Sequence, residues 1–181
     1  MKFIKKTIAL TLCMVLFLSL TNSASAYQLN CYKWNTTTIH YYYDNFVGSR
    51  AIQFFSRGAT AWNAANVDAT ISHGGGNFVY CAVAQYPDVE WDGMVSTSWD
   101  PWFYVTSQSL ILNKSAASTW ENDGALKSVV VHEFGHVYGL ADNGRTRTIM
   151  NGYTWGTNSR YGGYSLTTPQ SDDINGVNAI Y

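Results

Sequence analysis

An α+β fold is expected for this chain, built as a mixed sheet of five strands with three helices packed on it. Three observations predict it. Short runs rich in Thr, Ile, Val and Tyr, broken by Gly, Pro and Asp, read as strands. Longer stretches with apolar residues three and four apart read as helices. Their order is strand, helix, four strands, helix, long loop, helix, with no repeat and no linker between two units, and such an order packs helices on a mixed sheet.

Residues 36–43, rich in Thr, Ile and Tyr, form the first expected strand. Residues 50–65 place Ile52, Phe54, Phe55, Ala59 and Trp62 on one face of an amphipathic helix. A second strand over residues 69–72 ends at the Gly74-Gly75-Gly76 turn. Residues 77–84, 94–99 and 109–112 are three further short strands. Residues 125–138 form a second helix with Val129, Val130, Phe134 and Val137 on its apolar side. Residues 143–168, dense in Gly, Asn, Thr and Tyr, should be mostly loop. Residues 169–181 read as a closing helix, with Thr168 or Ser171 as cap and Pro169 in the first turn.

The first 26 residues read as a secretory signal that is removed. Lys2, Lys5 and Lys6 precede an apolar run over residues 7–20, and Ala24-Ser25-Ala26 supplies a cleavage site. The run is too short to span a membrane, and Leu12 before Cys13 disfavours a lipid anchor. The remaining residues 27–181 suit one domain, expected to be extracellular, monomeric and not inserted in a membrane. Taking three lysines from the eleven basic residues leaves eight against twelve acidic ones, with no basic cluster, so nucleic acid is excluded as a partner. Cys31 and Cys81 are expected to pair in an oxidising compartment, at about 4 kcal/mol for a loop of about fifty residues. The competing role for Cys31 is an inhibitory thiolate on a metal.

The chemistry concentrates in His132-Glu133-Phe134-Gly135-His136-Val137-Tyr138-Gly139-Leu140-Ala141-Asp142. Histidines four apart share a helix face, so both imidazoles reach one ion. Glu133 stands beside the first, placed to take a proton from a water on zinc, whose pKa such an ion lowers to roughly 7. Gly139 permits the left-handed turn that ends the helix, and Asp142 then returns as a third, oxygen ligand. Histidine pairs of this spacing also occur as plain helix surface. Here Val129-Val130-Val131 buries the helix, and Met150 follows Asp142 by eight residues.

His132, Glu133, His136, Gly139, Asp142 and Met150 resemble, position by position, the zinc motif and Met-turn of the metzincin metallopeptidases. Within that clan the chain is similar to the matrixins, the matrix-metalloproteinase family. Lys33-Trp34 and Thr38-Ile39-His40-Tyr41-Tyr42 resemble their opening strand. Ser171-Asp172-Asp173-Ile174-Asn175-Gly176-Val177 resembles their closing helix. The resemblance implies a twisted five-stranded sheet, an active-site helix followed by a Met-turn, and Met150 as a hydrophobic base beneath the metal. It also implies one catalytic Zn2+, Glu133 as the catalytic base, and substrate lying along an edge strand, with residues 93–99 as the candidate edge.

Asp142 departs from the third histidine usual in matrixins. His40 and His73 are the spare histidines, and each reads better as a strand or turn residue. Residues 27–33 are too short for an inhibitory pro-segment, and no His-x-Asp pattern marks a second zinc. Asp88, Glu90, Asp92 and Asp100 are candidates for Ca2+ and equally for solvated surface. Tyr153 and Tyr161 are candidates for oxyanion stabilisation, and the aromatic content suggests an apolar substrate side chain beyond the cleaved bond. The expected activity is hydrolysis of peptide bonds in extracellular proteins. The alternative is a catalytically weak secreted binding or adhesion module on the same scaffold, for which Glu133 would have no use.

Overall fold

A computed structural model describes residues 27–76, 78–144 and 147–181. The expected signal segment lies outside these residues, as does Asn77. Five strands form the main sheet: β2 (Thr38–Tyr43), β3 (Thr70–His73), β4 (Val79–Ala84), β5 (Gly93–Trp99) and β6 (Val105–Asn113), in spatial order β3-β2-β4-β6-β5. The first four are mutually parallel, and β5 runs antiparallel to β6 at the edge. The sheet is therefore mixed, as expected, with residues 93–99 on its free edge. A second, two-stranded pairing joins β1 (Gln28–Leu29) to β7 (Leu140–Ala141).

Helix α1 (Ser49–Asn63) buries Ala51, Phe54, Phe55, Gly58, Ala59 and Trp62 at helical spacing. A short α2 (Ala117–Trp120) precedes α3 (Asp123–Tyr138), and α4 (Ser171–Ile180) closes the chain. In α3, Val129, Val130, Val131, Phe134 and Val137 are all 0% exposed, so this helix is enclosed on every side. That is why its polar residues must line an interior space. Asn122 caps it by accepting from the Gly124 and Ala125 N–H groups at 3.0 Å each. Gly139 ends it at φ 106, where a side chain would also meet the Tyr32 carbonyl oxygen.

Two expectations are corrected. The closing helix starts at Ser171, with Gln170 as its cap rather than Thr168 or Ser171, because the Asp173 carboxylate accepts the Gln170 N–H at 2.8 Å. Cys31 and Cys81 are free thiols and form no disulfide. Cys81 is 0% exposed on the core face of β4, in register with Tyr43 on one side and Leu110 on the other, whereas Cys31 is exposed next to the β1–β7 pairing. Availability of a partner thiol does not supply the close approach a bridge needs.

Candidate metal centre

Helix periodicity puts His132 and His136 on one face of α3, and the turn at Gly139 brings Asp142 back to them. Their ligand-capable atoms lie within 4.8 Å of one another, and no other group of three or more such side chains occurs among the described residues. His132 Nε2 and His136 Nε2 are 3.1 Å apart, and Asp142 Oδ1 lies 3.2 Å from the first and 3.5 Å from the second.

The protons in this triangle can be assigned. His132 Nδ1 donates to the Ile149 carbonyl and His136 Nδ1 to the Leu140 carbonyl, each at 2.8 Å. A carbonyl only accepts, so each ring carries a proton on Nδ1 and turns Nε2 inward. Burial, with the Arg160 charge adding to it, pushes the His132 pKa down to about 3 and keeps that ring neutral. Two Nε2 atoms and a carboxylate oxygen then converge on one point, an arrangement a cation can bridge. Ligand atoms around a tetrahedral zinc at about 2.0–2.1 Å lie about 3.3 Å apart. The three separations match, so the residues fit a zinc ion.

Glu133 is 3% exposed beside this triangle, and its Oε2 has no hydrogen-bond partner. Burial pushes its pKa up to about 7, with the positive field of His136 and Arg160 pulling the other way. Its carboxylate packs against Gly93 of β5, where a side chain would fall 2.9 Å from Glu133 Oε1. The histidines, Glu133 and Asp142 line a cleft of about 780 Å³ that opens between β5 and residues 152–155. Asp92 anchors one end: Thr119 donates to its Oδ1 and Trp155 Nε1 donates to Thr119, both at 2.8 Å.

Met150 is 1% exposed and packs against Gly135, one helical position before His136. Asp173 of α4 holds it there. Its carboxylate accepts from the Ile149 N–H at 2.9 Å and the Met150 N–H at 3.2 Å. His40 and His73 stay outside the cluster; His73 stacks on Tyr43 with ring centroids 4.6 Å apart. Cys31 is also outside it. Asp88, Glu90, Asp92 and Asp100 form no metal-holding group among the described residues, and Asp100 instead caps its turn by accepting from Trp102 and Tyr104. Tyr153 lines the cleft, whereas Tyr161 is tied to Asn122 at 3.0 Å at the far end of α3. Arg160 and Asp173 carry weight here that their sequence surroundings did not signal.

The matrixin family model matches residues 51–181. No curated protein matches the chain. Among solved structures, a chain of the GM1-bound form of the ECX AB5 holotoxin is similar at a TM-score of 0.55. It is 15% identical and 86% of each chain is covered, a likeness of fold alone.

Proposed function

The chain belongs to the matrixin family of metalloproteases, and on that premise we propose that it is a secreted zinc-dependent endopeptidase, its catalytic domain spanning residues 27–181. In this reading His132, His136 and Asp142 hold the metal, Glu133 is the general base, and Met150 forms the Met-turn beneath them. The observation that carries it is the triangle of converging ligand atoms at 3.1–3.5 Å with an unpartnered carboxylate oxygen of Glu133 beside it.

When bound, zinc supplies Lewis acidity toward the attacking water and the scissile carbonyl. The chain's own residues do the rest. The free edge of β5 pairs with an extended substrate backbone and fixes the bond over the cleft. Glu133 takes the proton of the attacking water and passes it to the leaving amine, a task suited to a buried carboxyl whose proton affinity burial raises. Burial of Glu133 keeps bulk water from competing for that proton. Substrates are extracellular proteins or peptides.

Metal analysis of the purified protein beside a gelatin digestion tests this. One zinc per chain and chelator-sensitive cleavage are expected, with Glu133→Ala retaining zinc and losing turnover. A chain that binds no stoichiometric metal, or a Glu133→Ala variant that still digests gelatin, would overturn it.

A further inference from the structure

Arg160 is 2% exposed and forms part of the cleft floor. Two of its five donors are taken: Nη1 donates to the Asn151 carbonyl at 2.8 Å and Nη2 to Thr154 Oγ1 at 2.7 Å. Nε is buried without a partner, and among the described residues no carboxylate forms an ion pair with this guanidinium. A buried cation held only by neutral acceptors is costly, and buried donors without partners are rare in folded chains. The fold keeps this side chain in the lining of the cleft, with Glu133, Asp92 and Asp142 as the charges near it.

We propose that Arg160 is the floor of a subsite that receives an oxygen-bearing side chain, glutamate or glutamine, on the residue just after the scissile bond. The proposal rests on the peptidase reading. Glu133 must face the leaving amine to protonate it, so a pocket floored next to Glu133 receives the side chain on the carbon attached to that nitrogen. A terminal carbonyl or carboxylate oxygen there accepts from the guanidinium. An aliphatic side chain leaves the cation dry and unpaired, a large penalty for the wrong substrate. This departs from the apolar preference expected from the aromatic content.

The test uses three peptides that differ only after the cleaved bond, carrying Glu, Gln or Leu there. Wild-type kcat/KM should favour Glu and Gln over Leu by about tenfold to a hundredfold, the worth of a hydrogen bond to a charged donor. Arg160→Met should bring the three rates together, whatever their common level. Arg160→Lys keeps the cation but not the fork, and should retain preference for Glu alone; it serves if the Met variant does not fold. A wild type that favours Leu, or an Arg160→Met variant that keeps the Glu and Gln preference, overturns the subsite. Calorimetric binding of the product tripeptides Glu-Ala-Gly, Gln-Ala-Gly and Leu-Ala-Gly separates this from the peptidase reading. Ranked binding without any cleavage would sink the peptidase and keep the subsite. Absence of ranked binding in the wild type would sink the subsite, whatever is cleaved.

Discussion

Ile149 O and Leu140 O each accept a histidine Nδ1–H, and this fixes which nitrogen of His132 and His136 faces inward. Asp142 differs from both: more than half of its side chain is exposed, and it sits on a turn rather than a helix. Its hold on a metal therefore depends on the Gly139 turn. Asp142→Ala should weaken zinc binding by more than the roughly 10–100-fold that loss of an outer-shell partner costs. His73→Ala, in a ring stack away from the cluster, should leave affinity unchanged. Competition against a fluorescent chelator reads both, and unchanged affinity in Asp142→Ala would remove this residue from the ligand set. Asp173 allows a prediction in pH. Burial raises its pKa to about 6 against its backbone hydrogen bonds, above the usual 3.8. A carboxyl raised on folding favours the folded state most at low pH, and that advantage is lost as pH rises through about 6. Relative to Asp173→Asn, the wild type should lose about 2 kcal/mol between pH 4 and pH 7, most of a shift of about two units at 1.36 kcal/mol each. Urea melts across that range would show it, and a gap independent of pH would refute the burial argument. The convergence of His132, His136 and Asp142 was legible in the sequence because helix spacing and one glycine turn place them within eleven residues. Asp173 and Arg160 were not, because their meaning comes from partners reached only through the long loop.

At the scale of elements, the position of α3 depends on how closely α1 approaches it. At Gly58 an added methyl would lie 2.5 Å from Val130 Cγ1 and 2.8 Å from Phe134 Cδ2, both on fully buried side chains. Alanine is the better helix former by about 1 kcal/mol, but overpacking costs typically 1–3 kcal/mol, and these neighbours have no room to yield. Gly58→Ala should therefore lower stability by up to about 2 kcal/mol, read as a shift in denaturation midpoint. A stabilised variant would mean the helices can separate. The amphipathic pattern of α1 was readable because only one of its faces is buried, but Ile52, expected on that face, is 37% exposed and its place is taken by Ala51. The strand β6 runs four residues earlier than expected, from Val105, because polar Ser107 and Gln108 are held by ladder pairing with β5, Gln108 also with β4, and Val105 pairs with Trp99 past a register shift at Thr106. The two-residue strands β1 and β7 carry no periodicity to read, and they exist because the Gly139 turn offers an edge to pair with.

For the molecule as a whole, the candidate centre is where otherwise separate parts meet. α3 brings the two histidines, β1 holds the turn before Asp142 through Gln28 and Leu29, and α4 holds Met150 through Asp173. The sheet contributes its free edge along β5. Little regular structure spans the described residues 147–168, so their order depends on polar contacts such as those of Arg160 with Asn151 and Thr154. A metal joined to both α3 and the start of this loop should stabilise the folded chain well beyond its own vicinity. A ligand that binds only the folded state adds about 2.7–4.1 kcal/mol at 100 to 1,000 times its dissociation constant. In a chain of this length each kcal/mol moves Tm by roughly 2–4 °C, so chelation should lower Tm by about 5–15 °C, reversed by added zinc. The shift should shrink in Asp142→Ala, since only two ligands remain. Calorimetry with and without chelator decides it: a Tm indifferent to chelation in the wild type would mean that the three side chains converge without holding the fold together through a metal.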